Sequence, residues 1–184
     1  MIYVVCGMSG SGKDTLVNAI LKKYPDRFVR EVGYTTRPIR PGEVEGKTYH
    51  FVTESPENTE NIFAYREYNT CNGTWRYWHK KIETKKDILA ISVLDAVEEY
   101  ITIYGKDNVK VLWLTVEPET AFKRMYERER RKSNPDYQEV CRRFISDCET
   151  VAVRAKDTKI YDIDMNSDID DALDGIGEIL EGVI

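Results

Sequence analysis

Gly7-Met8-Ser9-Gly10-Ser11-Gly12-Lys13 is the feature that most constrains this chain. Its spacing is G-x-x-x-x-G-K. At ordinary glycine and lysine frequencies the three fixed residues recur by chance in about 5% of chains this long, so the flanking context carries the weight. Ile2 to Cys6 is apolar and β-branched, which predicts a buried parallel strand ended by Gly7. Leu16, Ile20 and Lys23 follow at helical spacing, and Pro25 comes shortly after. A Gly-rich loop between strand and helix lets backbone N–H groups converge on phosphate oxygens, with the helix N-terminus adding partial positive charge. Ser9, Gly10, Ser11, Gly12, Lys13, Asp14 and Thr15 are therefore the expected ATP-binding residues, with Lys13 reaching the β- and γ-phosphates. One position departs from the pattern. The usual hydroxyl after the lysine, a Mg²⁺ ligand, is Asp14 here, and Thr15 lies ~100° further round the helix. Asp14 is the candidate metal ligand.

At 184 residues the chain fits one domain that needs neither disulfides nor metal to fold. Hydrophobic residues at 41% and charged residues at 32% exclude a disordered or collagen-like chain. No apolar run approaches a membrane span, the short apolar run Met1–Cys6 is not expected to be a secretory signal, and the expected location is cytoplasmic. Cys6, Cys71, Cys141 and Cys148 are scattered, which predicts buried reduced thiols and no zinc site. A net charge of −5 argues against nucleic acid as the partner.

Further strands are expected at Val29 to Tyr34, Tyr49 to Val52, Ile88 to Val93, Val109 to Val116 and Lys159 to Asp164. Asn72-Gly73 predicts a hairpin turn. Helices are expected from Ser55-Pro56-Glu57, from Asp95 to Tyr104, from Pro118, from Tyr137 to Val153, and after a Ser167 cap. Strands alternating with helices predict an α/β fold with a parallel sheet flanked by helices, its ligand lying beyond the strands' carboxyl ends. The rhythm breaks at 33–82, the expected insert over one end of the sheet.

Within the insert, Tyr34-Thr35-Thr36-Arg37-Pro38-Ile39-Arg40-Pro41-Gly42-Glu43-Val44-Glu45-Gly46-Lys47-Thr48-Tyr49-His50-Phe51-Val52 carries two arginines three apart, able to grip one phosphate dianion bidentately. This stretch resembles the guanylate kinase pattern T-T-R-x-x-R-x-x-E-x-x-G-x-x-Y-x-F-V, and the resemblance runs more weakly along the whole chain. It implies a P-loop core at 1–32, 83–118 and 154–184, a monophosphate-binding insert at 33–82 and a mobile helical lid at 119–153, with ATP and a nucleoside monophosphate as partners and Mg²⁺ as cofactor. It implies that Arg37, Arg40 and Tyr49 hold the acceptor phosphate beside Thr36, that Glu43 supports the arginines, and that Tyr77 also reaches the phosphate. Glu67 resembles the carboxylate that accepts from guanine N1–H and the 2-amino group. Lys13, Arg124, Arg128 and Arg142 resemble the catalytic cations, and Asn166 falls near the adenine. A monomer or small homo-oligomer that binds no nucleic acid and no membrane is expected.

Three positions depart from the family. Gly33 stands where the family has a serine that contacts guanine O6, and Ala90 and Ser92 stand where it has two aspartates. Three readings follow. The first is a kinase for nucleoside monophosphates, GMP or dGMP foremost. The second is a ribose 1,5-bisphosphate phosphokinase, whose G-K-D-S loop is similar to Gly12-Lys13-Asp14-Thr15. The third is a non-catalytic guanylate-kinase-like binding module, which Lys13 argues against.

Overall fold

The computed structural model describes residues 1–56, 61–150 and 159–182. The central sheet is built from β1 (Ile2–Gly7), β2 (Phe28–Arg30), β7 (Asp87–Ile91), β8 (Val109–Thr115) and β9 (Ile160–Asp164). All five strands run parallel in the order β2-β7-β1-β8-β9, so β1 is central and Gly7 leaves from the middle of the carboxyl edge. Alternation along β1 explains the two-sided core. Tyr3 and Val5 face one cluster with Leu16 and Ile20 of α1 (Lys13–Lys23) and with Leu173, Ile176 and Ile179 of α5 (Ile169–Glu181). Ile2, Val4 and Cys6 face the other, with Val97 and Tyr100 of α2 (Val97–Tyr104).

Residues 34–80 form a second sheet. Its strands are β3 (Tyr34–Thr35), β4 (His50–Phe51), β5 (Ile62–Thr70) and β6 (Gly73–Lys80), in the order β4-β3-β6-β5. The expected strand from Val29 to Tyr34 is thus two strands in two sheets. Glu31 and Gly33 lie in the link between them, where the chain leaves the core. The hairpin is present, with Thr70 opposite Gly73 and the turn at Cys71-Asn72. A bulge between Phe63 and Arg66 shifts the register of β5, and Ala64 there takes φ 52.

The remaining helices are α3 (Pro118–Arg130) and α4 (Tyr137–Thr150). The expected end of α4 at Val153 and the helix expected after Pro56 fall outside the described residues. Two expectations are corrected. Asp168, not Ser167, caps α5, its side chain accepting from the Asp170 N–H. Of the thiols only Cys6 is buried; Cys71, Cys141 and Cys148 are exposed. Among the described residues no helix is long and apolar enough to cross a membrane.

Candidate active site

The Gly7–Lys13 loop turns sharply at Gly10 (φ 83) and Gly12 (φ 95). Gly10 has a second reason to be glycine, since an added Cβ would sit 2.4 Å from the Ala121 carbonyl oxygen where α3 crosses the loop. Lys13 is folded back over its own loop, donating to the Gly7 and Met8 carbonyls at 2.7 and 2.9 Å. Burial lowers the pKa of its ammonium, and Asp147 works in the opposite direction. Ser11 is buried within the loop. Asp14 lies at the loop's outer edge, where one carboxylate oxygen accepts from Arg30 at 2.7 Å. Its other oxygen has no hydrogen-bond partner among the described residues. Those residues contain no cluster of three His, Cys, Asp or Glu suited to a metal. A Mg²⁺ ion carried in with nucleotide phosphates needs only one or two protein carboxylates, so Asp14 fits that use.

Opposite the loop, Arg37 is nearly buried and gripped by Glu43 through two bonds of 2.7 and 2.6 Å. Its guanidinium lies 5.2 Å from the ring centroids of both Tyr49 and Phe51. Burial pushes the pKa of Glu43 up, but hydrogen bonds from Arg37 and the Arg40 N–H outweigh this and hold it below the ordinary range. Burial pulls the Arg40 guanidinium down to about 10, aided by repulsion from Arg37, Arg143 and Arg128. Burial likewise raises the Tyr49 hydroxyl to about 12, so it stays a neutral donor. Thr36 anchors the cradle on β6, its hydroxyl accepting from the Arg76 N–H at 2.9 Å, and Tyr77 packs edge-on against Tyr49.

α3 and α4 complete the enclosure. Arg124 spans Gly10 and Met165, donating to both carbonyls. The Arg128 guanidinium is lowered by burial and by Arg143. Glu139 and residues 142, 143, 146 and 147 form one polar stripe of α4 along the cleft, at the spacing of a single helix face. On that stripe Arg142 is held by Glu139 through two bonds of 2.7 and 2.8 Å. Its neighbour Arg143 reaches the loop instead, donating to the Ser9 hydroxyl at 2.8 Å. Asp147 accepts from the Ser9 backbone N–H at 2.6 Å, which seats a carboxylate on the anion-binding loop.

One cleft of about 470 Å³ therefore brings together Ser9, Gly10, Gly12, Lys13, Asp14 and Thr15 with Arg37, Arg40, Glu43, Tyr49, Tyr77, Arg124, Arg128 and Arg142. Four expected site residues do not line it: Ser11 is buried within the loop, Thr36 is turned to β6, and Asn166 and Glu67 stand apart. Asn166 accepts from the Glu117 N–H at 2.8 Å and is exposed. Glu67 lies on the far face of β5, where it faces Arg76 across the strand pair, bonded at 2.6 Å, and also takes the Tyr65 hydroxyl. The cleft face of the same hairpin carries Arg66, Tyr68 and Thr70 opposite Tyr77, Trp75 and Gly73. Sequence reasoning missed Arg143, Asp147, Arg66 and His79. The α4 stripe was a legible signal for the first two.

A parallel sheet with a Gly-rich loop after its central strand, facing a second arginine cradle across one cleft, defines the class of P-loop nucleotide-binding folds. Within that class, the sequence model of guanylate kinase matches residues 1–182, and the chain belongs to the guanylate kinase family. It is 47% identical to the guanylate kinase of Thermotoga maritima over 116 residues, 56% of each chain. It is 35% identical to that of Protochlamydia amoebophila over 99 residues, 51% of this chain and 49% of the relative. The chain thus spans about half the length of these curated relatives. The crystal structure of guanylate kinase from Anaplasma phagocytophilum superposes with a TM-score of 0.66 at 17% identity, covering 99% of this chain and 85% of the other. A gluconokinase from Sinorhizobium meliloti shares the fold at a TM-score of 0.52 and 14% identity, covering 98% of this chain and 94% of the other.

Proposed function

We propose that this chain transfers the γ-phosphoryl group of ATP to a nucleoside monophosphate, GMP or dGMP foremost. The observation that carries this reading is the cleft itself. Its Gly7–Lys13 loop suits a triphosphate, its Arg37–Arg40–Tyr49 cradle suits a monophosphate dianion, and Arg128 and Arg143 stand close enough to Arg40 to perturb it. Arg40 is held down by burial and by repulsion from Arg37, Arg143 and Arg128, although Glu43 pairs with Arg37 and Glu129 lies near Arg128; an anion bound among these groups would relieve that repulsion.

In this reading the loop N–H groups and Lys13 orient the donor. Lys13 exchanges its hold on the Gly7 and Met8 carbonyls for phosphate oxygens. Arg37, Arg40 and Tyr49 fix the acceptor phosphate, and Glu43 holds Arg37 in place without contacting substrate. Arg124, Arg128, Arg142 and Arg143 neutralise the three equatorial oxygens of the phosphoryl group as its bond to the β,γ-bridging oxygen of ATP breaks, releasing ADP, and its bond to an oxygen of the acceptor phosphate forms. Direct transfer between two substrates bound in one cleft needs no covalent intermediate, and closure of α3 and α4 would exclude water that competes as acceptor. Asp14 would hold Mg²⁺, which supplies charge neutralisation on the phosphates when bound. The insert 33–82 and the lid 119–153 act as the two closing bodies over the core.

The test is a coupled ADP-release assay with Mg-ATP across a panel of nucleoside monophosphates and ribose 1,5-bisphosphate. Turnover of GMP or dGMP above the rest of the nucleotide panel is expected. Turnover of ribose 1,5-bisphosphate with none of GMP would replace this reading with the phosphokinase one.

A further inference from the structure

The Asp147 carboxylate on the phosphate loop has no part in the transfer described above. Ser9 is gripped at two points by one face of α4. Its hydroxyl accepts from Arg143 at 2.8 Å, and its backbone N–H donates to an Asp147 oxygen at 2.6 Å. Arg143 and Asp147 are four residues apart, ~6 Å along the helix, so both reach the same loop residue. From α3, Arg124 donates to the Gly10 carbonyl. The lid helices therefore bear directly on the loop. We infer that Asp147 is a built-in competitor of the donor nucleotide: it pins α4 to the phosphate loop, and ATP takes the loop by displacing it. The inference rests on the loop's being the ATP site, as proposed above, and adds a regulation of that site.

Chemistry makes the two occupants exclusive. To a backbone N–H, a carboxylate oxygen and a phosphate oxygen are the same kind of partner, an anionic acceptor of a charge-assisted bond. A hydrogen bond needs near-linear geometry, so one N–H makes one strong bond. The Ser9 N–H therefore serves Asp147 or a phosphate, not both. Loops of this kind bind triphosphates through converging N–H groups, and Ser9 lies within this one. Charge adds to the conflict. Burial lowers the Lys13 ammonium, and among the charges acting on it Asp147 is foremost, working to raise it. A triphosphate arriving at Lys13 thus meets a negative charge already beside it.

The two residues of the grip respond oppositely to that triphosphate. Arg143 holds Ser9 through a neutral hydroxyl, a bond exchanged at a gain for one to a phosphate oxygen. Asp147 is repelled. The other carboxylate of the stripe, Glu139, is buried and tied to Arg142 by two bonds, so it is not free to compete. Asp147 forms no ion pair among the described residues, and the Ser9 N–H is its anchor. The nucleotide breaks the Asp147 half of the grip and takes over the Arg143 half. A lid held by the protein becomes a lid held by the substrate. Because Asp147 is only half-buried, the competition is moderate rather than prohibitive.

The experiment titrates Mg-ATP, without acceptor, into wild type, Asp147→Asn and Asp147→Ala by calorimetry. NMR follows exchange of the Ser9 amide hydrogen in each protein before ATP is added. Asn keeps the size of the side chain and removes its charge; Ala removes the acceptor as well. The Kd for ATP should fall about 3–10-fold in Asp147→Asn and at least as far in Asp147→Ala. The Ser9 amide should exchange about tenfold faster in Asp147→Ala than in wild type. A merely structural Asp147 would lower Tm and leave the ATP Kd unchanged, which overturns the inference. Weaker ATP binding in folded variants, or equal Ser9 exchange in wild type and Asp147→Ala, overturns it too. Failure of all three proteins to bind ATP would instead refute the kinase reading, and the inference with it.

Discussion

Removing Glu43 tests the phosphate cradle most directly. The Arg37 side chain is only 3% exposed and Glu43 17%, so Glu43→Ala strips the partner from a largely buried cation at the cleft wall. Breaking a buried pair in this way costs about 3–5 kcal/mol, and no discount for solvent screening applies. For a domain of this size each kcal/mol lowers Tm by about 2–4 °C, so a loss of about 6–20 °C is expected in the free protein. A monophosphate bound between Arg37 and Arg40 returns an anion to the same guanidinium groups. The Tm gain on saturating with GMP should therefore be larger in Glu43→Ala than in wild type. The acid limb gives a second readout. The folded pKa of Glu43 lies below its unfolded value of about 4.3, so its stabilisation is full above that value and fades as pH falls through the folded pKa. Between these limits wild type should lose stability that Glu43→Gln never had. Differential scanning calorimetry with and without GMP measures all three. A Glu43→Ala protein with wild-type Tm, or an equal GMP shift in both proteins, would refute the reasoning.

Lys13→Ala should abolish transfer while leaving circular dichroism and Tm nearly unchanged, because the ammonium bonds only its own loop; retained turnover would contradict the loop's role. Arg143→Ala should lower kcat more than Arg142→Ala, since Arg143 reaches Ser9 while Arg142 is held by Glu139; steady-state kinetics of the pair would expose the reverse order. Asp147→Asn removes a negative charge from the loop's N–H groups, so ATP affinity by isothermal titration should rise about 3–10-fold. A weaker affinity would mean the carboxylate supports nucleotide rather than competing with it. Asp14→Ala should need more Mg²⁺ for half-maximal activity than wild type, whereas identical titrations would leave Asp14 only its Arg30 contact.

The phosphate loop was legible because its chemistry is written in consecutive residues. Glycines at Gly7, Gly10 and Gly12 fix backbone turns, and the strand and helix on either side follow from local apolar spacing. Arg37, Arg40, Glu43 and Tyr49 were legible for a similar reason: one loop carries them all, and Arg37 and Glu43 find each other within six residues. The strand-helix alternation likewise predicted a parallel sheet, which the register bears out.

What the sequence left undecided depended on which way a side chain faces. On β5 the difference between Glu67 and Arg66 is one residue, and the bulge after Phe63 sets which of them meets the cleft. On α4 the phase of the helix against the loop, not the presence of adjacent arginines, sends Arg143 to Ser9 and leaves Arg142 with Glu139. His79 and Glu31 are 48 residues apart, and only packing of the second sheet against β7 and α2 brings them together beneath Gly33. Local spacing determines which backbone forms, because turns and periodicity are settled within a few residues. Which side chains of β5, β6 and α4 face the cleft was decided by tertiary structure, because strand register and helix phase are fixed only when the elements pack.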